Sequence, residues 1–112
     1  MTDVGFVYIF NTLFAPLDLE LNNRRIVGIP STIPGGYPPP FIILDRNDLQ
    51  TNVESVAATT NTLAISYDGK RINYQVVLAP NQYPIADDVR LYIYDDVIVL
   101  LYKVSVIPIK PS

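Results

Sequence analysis

A chain of 112 residues, 49% apolar and only 17% charged, has the size of one domain with a single core, and its composition belongs to globular rather than disordered chains. Its net charge of −3 argues against nucleic acid or an anionic membrane surface as a partner. It contains neither His nor Cys, which removes Ser-His-Asp and Cys-His relays, disulfides, and zinc, iron or copper sites built on imidazole or thiolate.

The first residues, MTDVGFVYIF, are apolar, but Asp3 stands where a signal peptide carries basic charge, and Lys and Arg are missing before Arg24. No cleaved signal is expected, which leaves the cytoplasm or export by a route without one. A membrane-spanning helix is not expected either: the most apolar stretch, near the C-terminus, is interrupted by Asp95, Asp96 and Lys103. Val4 to Phe10 is rich in β-formers on both parities and predicts a central strand buried on both faces. Leu17 to Ile29 predicts a hairpin about Asn22-Asn23, pairing Leu21 with Arg24, Glu20 with Arg25 and Leu19 with Ile26.

Five of the eleven residues of Pro30 to Pro40 are proline, so neither a helix nor a central strand runs through them. Gly35-Gly36 suits a sharp turn, and Pro38-Pro39-Pro40 an extended rod joining two sheets. Phe41 to Leu44 then predicts a short buried strand. Within 47–58, Leu49, Val53, Val56 and Ala57 have helical spacing, with Asn47 as cap. A short helix or helical turn is expected there, against an edge strand favoured by the β-branched residues.

Asp68-Gly69 between alternating segments is the strongest hairpin mark in the chain. It pairs Tyr67, Ile65 and Leu63 with Lys70, Ile72 and Tyr74 on the core face. On the wet face it pairs Ser66, Ala64 and Thr62 with Arg71, Asn73 and Gln75. Pro80 and Pro84 close this unit. The stretch 89–107, VRLYIYDDVIVLLYKVSVI, then predicts two long strands about Asp95-Asp96. One face carries Val89, Leu91, Ile93, Ile98, Leu100 and Tyr102, wholly apolar. The other carries Arg90, Tyr92, Tyr94, Val97, Val99, Leu101 and Lys103, a composition unlike that of a sheet meeting plain water. The tail from Val104 is apolar and β-forming, and is expected to pair with the chain's first strand or to complete the sheet of a neighbouring subunit.

About eight strands at spacings near ten residues predict an all-β, single-domain antiparallel sandwich of the jelly-roll or immunoglobulin-like class over residues 1–112. Cys and Trp are both absent, so the marks of a true immunoglobulin domain are missing.

Chemistry is thin. The acidic pairs Asp87-Asp88 and Asp95-Asp96 offer carboxylates for glycoside hydrolysis or calcium, as does Asp45-Arg46-Asn47-Asp48 for calcium alone. Each is better explained as a solvated turn or loop. Arg24-Arg25 and Lys70-Arg71 sit at hairpin tips without the interleaved aromatics that stack bases. No catalytic residue, cofactor or metal is therefore assigned. The expected function is a non-enzymatic structural subunit that assembles with itself as a fibre, sheath, shell or inclusion, with Tyr92, Tyr94, Val99, Leu101, Val104, Val106 and Ile107 at the contact. The alternative is a small binding module for a protein or a saccharide, with Tyr37 and Tyr83 in a ligand loop beside Tyr92 and Tyr94.

Overall fold

The computed structural model describes residues 4–31, 41–49, 58–79 and 86–112. In these, nine strands form two sheets. The five-stranded sheet has the order β4 (Ile42–Asp45), β1 (Phe6–Asn11), β7 (Val89–Tyr94), β8 (Val97–Tyr102) and β9 (Ser105–Ile109). The four-stranded sheet has the order β3 (Arg24–Ile29), β2 (Leu17–Leu21), β5 (Thr59–Tyr67) and β6 (Lys70–Leu78). Pleating sends alternate side chains to opposite faces, and the inward set makes one core between the sheets. Val7, Ile9, Leu44, Leu91, Ile93, Ile98 and Leu100 meet Leu17, Leu19, Leu21, Leu63, Ile65, Val76 and Leu78 there. The all-β sandwich is thus the observed architecture.

The hairpin registers follow the sequence patterns. Leu21 pairs with Arg24 and Glu20 with Arg25; Tyr67 pairs with Lys70 and Leu63 with Tyr74; Tyr94 pairs with Val97 and Leu91 with Leu100. The turn residues explain why. Asn22, Asp68 and Asp96 have φ of 53°, 51° and 59°, and Gly69 has 76°, conformations that Asn, Asp and Gly tolerate best. Gly28, at φ 72°, accompanies a register shift between Leu17 and Leu19. Its N–H is taken by the Asp18 carboxylate at 2.9 Å.

Four expectations need correction. First, β1 is central but buried on one face only: Val7 and Ile9 are fully buried, whereas Phe6 is 46% exposed. Its neighbour β7 runs parallel to it, the one parallel pairing among the described strands. Second, Phe41 to Leu44 is not a buried strand. It leads into β4, an edge strand with Leu44 inward and Ile43 51% exposed outward. Third, the cap of the helical segment is Asp45 rather than Asn47: the described part is a 3-10 turn, Arg46–Asp48, and Asp45 accepts from the Asn47 N–H at 2.9 Å. Fourth, the tail pairs with β8, not β1. The chain reverses at Lys103, at φ 52°, and Tyr102 faces Ser105 while Leu100 faces Ile107. Beyond β9, Pro111 bridges to Tyr74, and Ser112 donates its N–H to the Asn73 carbonyl at 2.9 Å, so the tail crosses from one sheet to the other. Residues 50–57, Gly35-Gly36, Pro38-Pro39-Pro40, Pro80 and Pro84 lie outside the described residues.

Two buried polar groups fasten the connections. Asn11 donates to the carbonyls of Ala15 and Ile29, at 2.8 and 3.0 Å, and accepts from the Leu13 N–H. It thereby fixes the crossover from β1 to β2. Arg46 is fully buried and donates to the carbonyls of Asp87 at 3.0 Å and Leu49 at 2.7 Å. Burial lowers its pKa from the usual guanidinium value, while Tyr102 and Asp87 act to raise it.

Candidate functional site

The outward residues of the five-stranded sheet form a second apolar surface, and the strand register orders it into rows. One row runs Ile43, Tyr8, Arg90, Leu101, Val106 across all five strands. The next runs Phe10, Tyr92, Val99, Pro108. Its rings touch: Phe10 and Tyr92 stack with centroids 4.6 Å apart and planes 9° from parallel. Phe41 lies 5.4 Å from Phe10 and 5.6 Å from Tyr8. Arg90, the cation in the first row, lies 5.7 Å from the Tyr8 ring centroid, over its face, so it spreads along the aromatic surface. Such contacts favour a flat, preformed arrangement over independently mobile rings.

The four-stranded sheet presents the opposite chemistry outward. Asp18, Glu20, Arg25, Thr62, Ser66, Arg71, Asn73 and Gln75 occupy most of its outer positions, with Val77 as an apolar exception at 56% exposure. Glu20, though opposite Arg25 in register, has its carboxylate 3.6 Å from Arg71 of β6. The asymmetry between the faces has a simple consequence. Water solvates the polar face well and the apolar one poorly.

The expected contact residues are sorted by this geometry. Tyr92, Tyr94, Val99, Leu101 and Val106 share the outer face, and Val106 is 64% exposed. Ile107 does not join them: its parity turns it inward, where it packs against the core. Val104 is 97% exposed, in the turn before β9 rather than on the face. Lys103 likewise leaves the face, with its ammonium 3.6 Å from the Asp87 carboxylate. Tyr37 and Tyr83 lie outside the described residues. The reading of β1 as doubly buried concealed Phe6, Tyr8 and Phe10, and that of β4 concealed Phe41 and Ile43. The signal for β1 was its parity, aromatic at even positions and small or aliphatic at odd ones.

The acidic pairs turn out to hold structure. Asp88 accepts from the Phe6 N–H at 2.9 Å, and Asp87 accepts from the Tyr102 hydroxyl. Asp95 accepts from the Tyr67 hydroxyl, and Asp45 caps the 3-10 turn. Among the described residues no three carboxylates gather as a metal site would require, and no helix is long and apolar enough to cross a membrane. The Asp87 carboxyl is held below the usual carboxylate range, chiefly by the Tyr102 hydrogen bond, with help from Lys103. The chain matches no protein-family model, no curated protein and no solved structure with which it was compared.

Proposed function

We propose that this protein is a non-enzymatic structural subunit that associates with copies of itself through the outer face of its five-stranded sheet, as the repeating unit of a fibre, sheath, shell or inclusion. The observation that carries the reading is the continuity of that face, from Ile43 at one edge strand to Val106 at the other, with Arg90 lying over an aromatic ring. Its extent is adequate. Five strands of four to six residues, about 4.8 Å apart with ~3.3 Å per residue, offer roughly 430 Å² of flat surface. Two copies stacked face to face remove about 860 Å² from water before side-chain relief is counted, close to the ~1,000 Å² of a specific interface. A second copy is the fitting occupant because the face has almost no charge to steer a different partner, and like faces of aromatic and branched side chains interdigitate as sandwich sheets do.

Val99→Lys tests this. Val99 sits outward between Tyr92 and Pro108, where a lysine places charge in the contact but reaches water in a lone subunit. Light scattering should show assemblies in the parent and monomers in the variant, with unchanged circular dichroism. A parent protein that stays monomeric on concentration overturns the proposal.

A further inference from the structure

Three turns converge at one end of the sandwich. The β1–β2 crossover contributes Thr12, Leu13, Phe14 and Ala15, and the β5–β6 and β7–β8 turns contribute the rest of the lining. Together they border a cleft of about 600 Å³, inside the usual range of small-ligand sites. Its aromatic members are Phe14, Tyr67 and Tyr94; its charged members are Asp68, Lys70 and Asp95.

Two features set this cleft apart from an ordinary gap between loops. Phe14 is 87% exposed, although folding gains nothing from a phenyl ring left in water. The remaining wall is braced from several sides. Thr12 donates both its N–H and its hydroxyl to the Ile93 carbonyl. Asn11 ties down the rest of the crossover through Leu13 and Ala15. The Tyr67 hydroxyl is anchored on Asp95, and the Lys70 ammonium lies 5.6 Å from the Tyr67 ring centroid, over its face. A preformed wall keeps low the ordering cost that a weak ligand must overcome.

The charges select the ligand. Carboxylates at Asp68 and Asp95 disfavour an anion, and the ammonium of Lys70 disfavours a cation. A neutral ligand rich in hydroxyls satisfies both signs at once, donating to the carboxylates and accepting from the ammonium. Its C–H surface then lies against the aromatic side chains. We propose that this end cleft is a binding site for a neutral saccharide, recognised one pyranose ring at a time. The site is separate from the sheet-face association proposed above except at Tyr94, which belongs to both surfaces.

Saturation-transfer NMR observing the sugar reads binding to monomer and assembly alike. The probes are cellotetraose, maltotetraose and tri-N-acetylchitotriose, each up to about 10 mM, well beyond a millimolar Kd. At least one is expected to show saturable transfer. Phe14→Ala, at an exposed position, should weaken it about tenfold or more, while Val77→Ala, exposed at the opposite end of β6 from Lys70, leaves it unchanged. Absence of transfer from all three sugars overturns the proposal. So does an affinity that Phe14→Ala leaves intact, or one that both substitutions reduce equally.

Discussion

Tyr74 of β6 is buried to 2% exposure, and among the described residues its hydroxyl meets no hydrogen-bond partner. A buried hydroxyl without a partner forfeits its hydration for nothing in return. Tyr74→Phe, which keeps the ring and removes the oxygen, should therefore raise stability by about 1 kcal/mol, read as a higher urea midpoint; a fall of similar size would mean the hydroxyl is bonded in solution. Asp87 makes the opposite case. Its carboxyl is lowered by the Tyr102 hydroxyl first and by Lys103 next, so its contribution is complete above the ordinary carboxylate pKa and is lost as pH falls through the lowered folded value. Asp87→Asn should cost stability near neutral pH, and the gap to the parent should close on acidification in parallel denaturation curves. A gap that widens in acid would show the carboxyl to be raised instead. Residues of these two kinds were not equally legible. Asn22, Asp68-Gly69 and Asp96 act locally, so a turn pattern reveals them. Arg46 and Asp87 act on partners far along the chain, which no local pattern announces. Gly5 is similar: a Cβ there would lie 2.6 Å from the Asp87 carbonyl oxygen, a contact visible only once the chain is folded.

At the scale of elements, the hairpins were readable to the residue because alternation and turn chemistry agree within each. What joins them was not. The parallel pairing of β1 with β7 spans most of the chain, and the two strands carry no mutual signal beyond being apolar. The tail misled for a related reason. Val104, Val106, Ile107 and Ile109 look equally ready to pair with any free edge, and the reversal at Lys103 uses a residue not favoured at positive φ. Since Ile107 and Ile109 pack against the core and Pro111 and Ser112 reach β6, truncation from Ser105 onward should destabilise the fold by at least about 2 kcal/mol. An equally stable truncated monomer would mean that the strand does not belong to its own sheet in solution.

At the scale of the molecule, the two sheets share one core but face water differently. The four-stranded sheet carries paired charges and amides outward, whereas the five-stranded sheet carries stacked rings and branched aliphatics. The outer composition of β7 and β8 was plain in the sequence, because alternation about Asp95-Asp96 separates two apolar faces that cannot both line one core. The contributions of β1 and β4 were hidden, since aromatic residues at outward positions read the same as buried ones until the neighbouring sheet is located. Self-association through this face is the central claim, and the absence of Cys allows a direct measurement of it. Stacked sheets lie about 10 Å apart, so a thiol crosslinker of about that reach joins Val99→Cys to a second copy if the outer faces meet. Gln75→Cys, outward on the four-stranded sheet, serves as the control. Crosslinked species from Val99→Cys and none from Gln75→Cys is the expected result; equal crosslinking at both positions, or crosslinking at Gln75→Cys alone, would contradict it.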